Sequence, residues 1–354
     1  MTTQEKCGFY PPPRRVDIYL THQCNLVCPF CFYHAKGRNF FCGDTNADVS
    51  PEKWIGFLEE LQSLKVLEVG LMGGEALMYD GFWKLISWLS KNRLRFALFS
   101  NGILLDDEAV KKIASSRRCS YVQISIDGTE KTHDNVRGQG VYRNAQNAIM
   151  RLTRSGIPVH VNMVFRKGTA NDIAQEAHHL IVEMGINQLR INPETGDEAK
   201  TPDEMDIADA IGCLQPLRKQ FPKILRGSGV FKYLRTIHHP FEPNTENDCP
   251  NCEKKLWTRC AILADGSAIP CMDAENVIIG NVFDSHFVDL WQSDEWLACR
   301  LAVHRPRPIP NEICHECHFA ANCRQNCLSS AVQNHRHICY KRLLETLTKR
   351  GLME

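Results

Sequence analysis

Residues 16–31 read V-D-I-Y-L-T-H-Q-C-N-L-V-C-P-F-C: an apolar run, Val16–Thr21, that runs into three cysteines, Cys24, Cys28 and Cys31, at C-x3-C-x2-C spacing. The run has the length and composition of a buried strand. Three thiolates gathered at the end of such a strand can each take one iron of a cubane cluster and leave the fourth iron without a protein ligand. An open iron is a chemical site, whereas a cluster closed by four cysteines serves electron transfer or structure. A zinc ribbon would pair C-x2-C with a second such pair, and a dithiol redox site would need one pair alone.

Outward from this stretch, short apolar strands alternate with amphipathic helices. Trp54, Phe57, Leu58, Leu61 and Leu64 recur at helical spacing behind Ser50-Pro51-Glu52, a cap followed by proline in the first turn. Val66–Leu71 is the second expected strand and Phe82–Leu89 the helix after it. Arg95–Phe99, Tyr121–Ile126, Val159–Val164 and Gln188–Ile191 continue the strands, with helices near 107–116, 140–154 and 170–184. Crossover helices between β-rich strands argue for a parallel sheet. Six such units without the glycines of a dinucleotide fold predict an α/β protein, a partial (β/α)6 TIM-like barrel over residues 1–195. Its chemistry would sit at the carboxyl ends of the strands. Residues 196–248 are expected to form a linker or lid, and 249–354 a small cysteine-rich α+β domain.

The unusual residues collect at those strand ends. Gly73-Gly74-Glu75 follows the second strand. The glycines admit a ligand close to the backbone, and Glu75 with nearby N–H and C=O groups suits an ammonium. Ser100-Asn101-Gly102 follows the third strand and Ser125-Ile126-Asp127-Gly128 ends the fourth. Asn162 lies within the fifth, and Arg190 and Asn192 close the sixth. Taken singly, S-N-G or D-G is a turn. Their recurrence at successive strand ends points to one shared site.

Lys and Arg number 42 against 41 Asp and Glu, a formal charge of +1, so nothing in the charge draws the chain to nucleic acid. No secretory segment opens the chain, and no apolar run approaches the ~18 residues of a membrane span. Seventeen cysteines, more than half of them after residue 248, therefore read as metal ligands in a reducing, cytoplasmic compartment rather than as disulfides.

With these residues in view, the chain resembles the radical S-adenosylmethionine (SAM) enzymes through residues 16–195. In that family a C-x3-C-x2-C loop, here with Phe30 before the last cysteine, holds a [4Fe–4S] cluster whose open iron chelates the amine and carboxylate of SAM. The resemblance implies that Gly73, Gly74 and Glu75 hold the amine. It implies that Ser100, Ser125, Asp127, Asn162 and Arg190 line the cofactor. Arg137, in His133-Asp134-x-x-Arg137-Gly138, would lie near the carboxylate. The implied reaction is one-electron cleavage of the sulfonium, after which a 5′-deoxyadenosyl radical takes a hydrogen from the substrate. An external one-electron reductant, such as a flavodoxin or ferredoxin, is implied with it. The chemistry asks for such groups: a sulfonium must be held against a low-potential cluster, and the radical must be kept from water and close to its target hydrogen.

Residues 249–339 carry a second pattern. Cys314, Cys317, Cys323 and Cys327 are spaced C-x2-C-x5-C-x3-C, Cys339 follows, and Cys252, Gly266 and Cys271 form C-x13-G-x4-C. This is similar to the SPASM domain, which extends many radical SAM enzymes and holds two auxiliary [4Fe–4S] clusters. The resemblance implies one cluster on Cys252, Cys260, Cys271 and Cys327, and another on Cys314, Cys317, Cys323 and Cys339. Three [4Fe–4S] clusters and SAM are then the expected cofactors. Cys249 is the alternative upstream ligand, and zinc the alternative metal. Ala261–Cys271 reads as a hairpin turning at Asp265-Gly266. Cys119, Cys213 and Cys299 have no partners at ligand spacing and read as small core residues.

Auxiliary clusters suit an enzyme that removes a second electron after hydrogen abstraction. Relatives of this kind oxidise sulfatase side chains, crosslink or otherwise modify ribosomally made peptides, or dehydrogenate sugars and cyclitols. The expected reaction is oxidative modification or crosslinking of a ribosomally synthesised peptide. Dehydrogenation of a sugar or cyclitol hydroxyl, or of a protein side chain, is the alternative. Little chain precedes the first strand, so the leader-recognition domain of many peptide-modifying members is expected to be absent. The basic and aromatic residues Lys219, Lys223, Arg226, Phe231, Lys232, Tyr233, Arg235, His238 and His239 belong either to a solvated linker or to a substrate lid. Asp273, two residues after Cys271, is the candidate base if the substrate is dehydrogenated.

Overall fold

The computed structural model describes residues 10–31, 48–194, 199–225, 229–238, 256–272, 274, 277–302, 317, 319 and 338–353. Six strands follow one another: β1 (Arg15–Tyr19), β2 (Glu68–Met72), β3 (Arg95–Ser100), β4 (Cys119–Ser125), β5 (Val159–Phe165) and β6 (Gln188–Pro193). Each pairs in parallel with the next. The crossovers are α1 (Pro51–Ser63), α2 (Phe82–Lys91), α3 (Asp107–Ser116), the pair α4 (Glu130–Arg137) and α5 (Val141–Arg154), and α6 (Ala170–His178). A π turn prolongs α6 to Glu183. Parallel neighbours joined in sequence by right-handed crossovers put these helices on one face of the sheet.

Alternation within the strands says which residues meet them. Val16 and Ile18, Val69 and Leu71, Phe96 and Leu98, Val122 and Ile124, and Val161 and Met163 share one core with Trp54, Phe57, Leu85, Ile113 and Ile149 of the helices. By the two-residue period, Asp17, Glu68, Tyr121, Gln123, Ser125, His160, Asn162 and Arg190 belong to the opposite face. A parallel sheet covered on both faces is apolar throughout. Here the inner face carries these polar residues beside a smaller apolar cluster of Tyr19, Met72, Ala261 and Ile269.

The sheet is open. Its order is β6-β5-β4-β3-β2-β1-β7-β8-β9. β7 (Arg259–Ile262) pairs in parallel with β1, placing Cys260 opposite Val16. It turns through Asp265-Gly266 into antiparallel β8 (Ser267–Ile269), which pairs with β9 (Gly280–Asn281). Gly266 takes φ +91°, a conformation open to glycine at no steric cost, as the expected hairpin requires. The hairpin does not stand apart as a separate domain, however: it prolongs the N-terminal sheet at the β1 edge.

A second difference concerns residues 196–248. Asp203 and Asp206 form a reciprocal capping box on α7 (Glu204–Gln220), which packs on α6 and buries Ile207, Ile211, Leu214 and Leu217. A single turn, Gly229–Phe231, and α8 (Lys232–His238) follow, with Val230, Phe231, Tyr233 and Leu234 in the same core. In the described part of this segment the aromatic residues Phe231 and Tyr233 are buried in the core rather than solvated. Lys219 and Lys223 are exposed, while Arg226 and His239 lie outside the described residues.

The chain closes with α9 (Phe287–Gln292), α10 (Asp294–Ala302) and α11 (Tyr340–Lys349), the last packed on α7. Arg300 on α10 is fully buried and lies 4.2 Å from the Trp291 ring and 4.9 Å from that of Tyr10, which ties the start of the chain to these helices. Cys299 is buried as expected, whereas Cys213 is exposed on α7. Among the described residues, no helix is long and apolar enough to cross a membrane.

Candidate functional site

The loop after β1 carries the three cysteines. Cys31 N–H donates to Cys28 C=O at 3.0 Å, a tight turn that gathers the thiols. Leu26, Cys28 and Val141 form a small apolar cluster with Cys24, Phe30, Cys31 and Ile103 packed against it. Burial pushes the Cys24 thiol up to about 11 and raises that of Cys28, so both stay protonated until a metal displaces the proton. Three thiols from one loop in apolar surroundings are a donor set that fits an iron–sulfur cluster.

The Gly73-Gly74-Glu75 segment is sewn to that loop. Gly74 N–H donates to Thr21 C=O at 2.9 Å and Glu75 N–H to Gln23 C=O at 2.8 Å. A Cβ on Gly74 would stand 2.3 Å from the Gln23 carbonyl oxygen, so the two backbones approach closely because glycine is there. Glu75, 1% exposed, accepts from Asn101 N–H at 2.8 Å, and burial pushes its carboxyl up to about 7. An ammonium brought to it would restore the carboxylate. Asn101 Nδ2 donates to Asn25 Oδ1 at 2.7 Å, joining the end of β3 to the cysteine loop, and Ser100 Oγ accepts from Gly102 N–H.

From the other side Arg137, on α4, reaches the same loop. Its Nε donates to Asp127 Oδ2 at 2.6 Å, its Nη1 lies 4.0 Å from Cys28 Sγ, and its guanidinium is 5.3 Å from the centre of the Phe30 ring. Asp127 N–H in turn donates to His133 Nδ1 at 3.0 Å, and burial holds His133 down at about 4, as a neutral imidazole. Ser125, Asn162 and Arg190 are register partners across β4, β5 and β6, a row of hydroxyl, amide and guanidinium on the inner face. Asn192 Nδ2 donates to Asn162 Oδ1 at 2.9 Å within it.

The inner face also holds a network that sequence reasoning missed. Arg15 donates to Asp17 Oδ1, Glu68 Oε1 and the Tyr121 hydroxyl, each at 2.6 Å, and His160 stacks on Tyr121 with centroids 3.9 Å apart. Gly70 leaves room for it, since a Cβ there would stand 2.1 Å from Asp17 Oδ1. The available signal was a pair of charges two residues apart in an otherwise apolar strand.

Of the expected tail ligands, Cys260, Cys271, Cys317 and Cys339 are described; Cys252, Cys314, Cys323 and Cys327 lie outside the described residues, as does Asp273. Cys339 N–H donates to Glu204 Oε1 at 2.9 Å, at the start of α11. Cys271 is half-buried just past β8. Cys260 is 2% exposed and packs in the helix-side core with Val16, while its neighbour Ala261 faces the other way with Tyr19 and Ile269.

Residues 18–181 match the radical SAM superfamily, and residues 249–318 match SPASM, an iron–sulfur cluster-binding domain. The chain is 34% identical over 163 residues to the sporulation killing factor maturation protein SkfB of Bacillus subtilis, a match covering 46% of this chain and 38% of that protein's length. It is 28% identical to the mycofactocin maturase MftC of Mycobacterium ulcerans, over 88% of this chain and 82% of the relative. With the PqqA peptide cyclase of Methylocella silvestris it shares 25% identity, over 77% of this chain and 72% of the relative. Streptococcus suis SuiB, solved bound to the precursor peptide SuiA, gives a TM-score of 0.68 at 18% identity, over 90% of this chain and 72% of that one. At that identity the likeness is one of fold.

Proposed function

The chain is a radical SAM enzyme with a C-terminal SPASM iron–sulfur domain, and from that premise we propose that it oxidises a side chain of a peptide, most simply by forming a bond at an unactivated carbon. What supports a peptide substrate is that relatives matched over most of their length are, by name, a maturase and a peptide cyclase. In this reading Cys24, Cys28 and Cys31 hold the cluster, and Glu75 takes the ammonium of SAM. Arg137, with Nε on Asp127, keeps Nη2 to offer the carboxylate. Bound together, cluster and SAM supply one-electron hydrogen abstraction. The row Ser125, Asn162 and Arg190 orients what enters the lumen, and the ion-paired Arg15 closes its floor against water. Auxiliary clusters on tail cysteines accept the second electron, an external one-electron protein reductant supplies the first, and Asp273 is the candidate base.

Co-expression with a short peptide encoded beside its gene tests the substrate. Mass spectrometry is expected to show a loss of two hydrogens confined to one or two residues; an unchanged peptide beside an oxidised sugar would end this reading.

The tail ligands have their own test. Cys260→Ala and Cys271→Ala, which the resemblance places on one cluster, are each expected to lose the share of that cluster, about four irons. Iron content unchanged in Cys260→Ala but lowered in Cys271→Ala would remove Cys260 from the ligand set.

A further inference from the structure

Resting on Cys24, Cys28 and Cys31 as cluster ligands, we propose that the Asp127–Arg137 pair sets the reduction potential of that cluster through the Cys28 sulfur, with no SAM needed for the effect. Besides the Nη2 it offers to SAM, the Arg137 guanidinium lies between a carboxylate and a cluster thiol, with Nε 2.6 Å from Asp127 Oδ2 and Nη1 4.0 Å from Cys28 Sγ. The Arg137 and Asp127 side chains are 10% and 1% exposed, so water screens neither charge well. Nor can the pair drift: Asp127 Oδ1 accepts from Val164 N–H of β5 at 3.0 Å, which fixes the carboxylate to the sheet.

The signs follow from charge. Reduction adds an electron to a cluster that is already anionic, and a cation at its sulfur favours the reduced form, raising the potential. The carboxylate behind the cation acts the opposite way from farther off. Removing Arg137 therefore lowers the potential, and neutralising Asp127 raises it. A residue that served SAM alone would leave the SAM-free potential where it was, and a purely structural one would shift both variants together or lose iron.

The experiment uses the full chain, reconstituted anaerobically with iron and sulfide and titrated without SAM. It follows the electron paramagnetic resonance signal of the reduced cluster that is missing from a C24A/C28A/C31A chain. Arg137→Gln is expected to reduce the equilibrium constant for cluster reduction about tenfold, about 59 mV downward for one electron. Asp127→Asn moves the potential upward, and Arg137→Lys falls between Gln and the unaltered chain. Unchanged potentials in iron-replete variants, or shifts of the same sign in R137Q and D127N, would overturn the proposal. Should R137Q lose its iron, D127N and R137K decide the matter by the same signs. Absence of the signal from the unaltered chain would overturn the cluster reading itself, a distinguishable failure.

Discussion

Alanine at Cys24, Cys28 and Cys31 together is expected to remove about four of about twelve irons per chain and to abolish formation of 5′-deoxyadenosine from SAM. The three thiols share one loop, held by the Cys31–Cys28 turn and by backbone hydrogen bonds from Gly74 and Glu75 to Thr21 and Gln23. Among the described residues no other cysteine packs in that apolar cluster. The tail cysteines are spared because the loop and the hairpin contribute separate thiols. Iron and sulfide analysis with chromatography of the SAM cleavage products reads both effects at once. Cleavage that survives in the triple variant would remove the site from this loop.

Arg15→Met is expected to destabilise the fold by about 3–5 kcal/mol, the usual cost of leaving buried charges without their partner. Arg15 and Asp17 are each 4% exposed, and Arg15 also satisfies Glu68 and Tyr121 on two other strands. Methionine fills much of the volume but offers no donor, so Asp17 and Glu68 both lose the donor they share. The urea midpoint should fall with its slope unchanged. Lys84→Ala is the comparison, because it breaks an ion pair with Glu52 on the surface, where water already screens both charges. Its midpoint should stay with that of the unaltered chain. Equal midpoints for R15M and the unaltered chain would mean the network contributes nothing net.

The six parallel strands, the helices between them and the cysteine loop were legible because their signals are local. The pattern of β5, buried at every second residue from Val159 to Phe165, states both the strand and its inward face. Ser50 capping α1 with Pro51 behind it states where a helix begins. The packing of the described part of segment 196–248 was not legible, for the same reason. Its basic residues suggest a solvated surface, and their sequence neighbours Val230, Phe231 and Leu234 are recognisable as core once α7 is known to lie against α6.

What the sequence by itself determined, then, is whatever depends on spacing along the chain: strand and helix periods, the hairpin turn at Asp265-Gly266, and three thiols close enough to share a cluster. The tertiary structure alone decided everything that depends on which strands lie side by side. β7 joins the sheet at β1, which turns Cys260 into the helix-side core. β1, β2 and β4 bring Arg15, Glu68 and Tyr121 together, and α4 folds back from β4 to set Arg137 between Asp127 and Cys28. The physical reason is that such contacts join residues far apart in the chain. Their geometry follows from sheet order and crossover handedness, to which neither partner's local sequence responds.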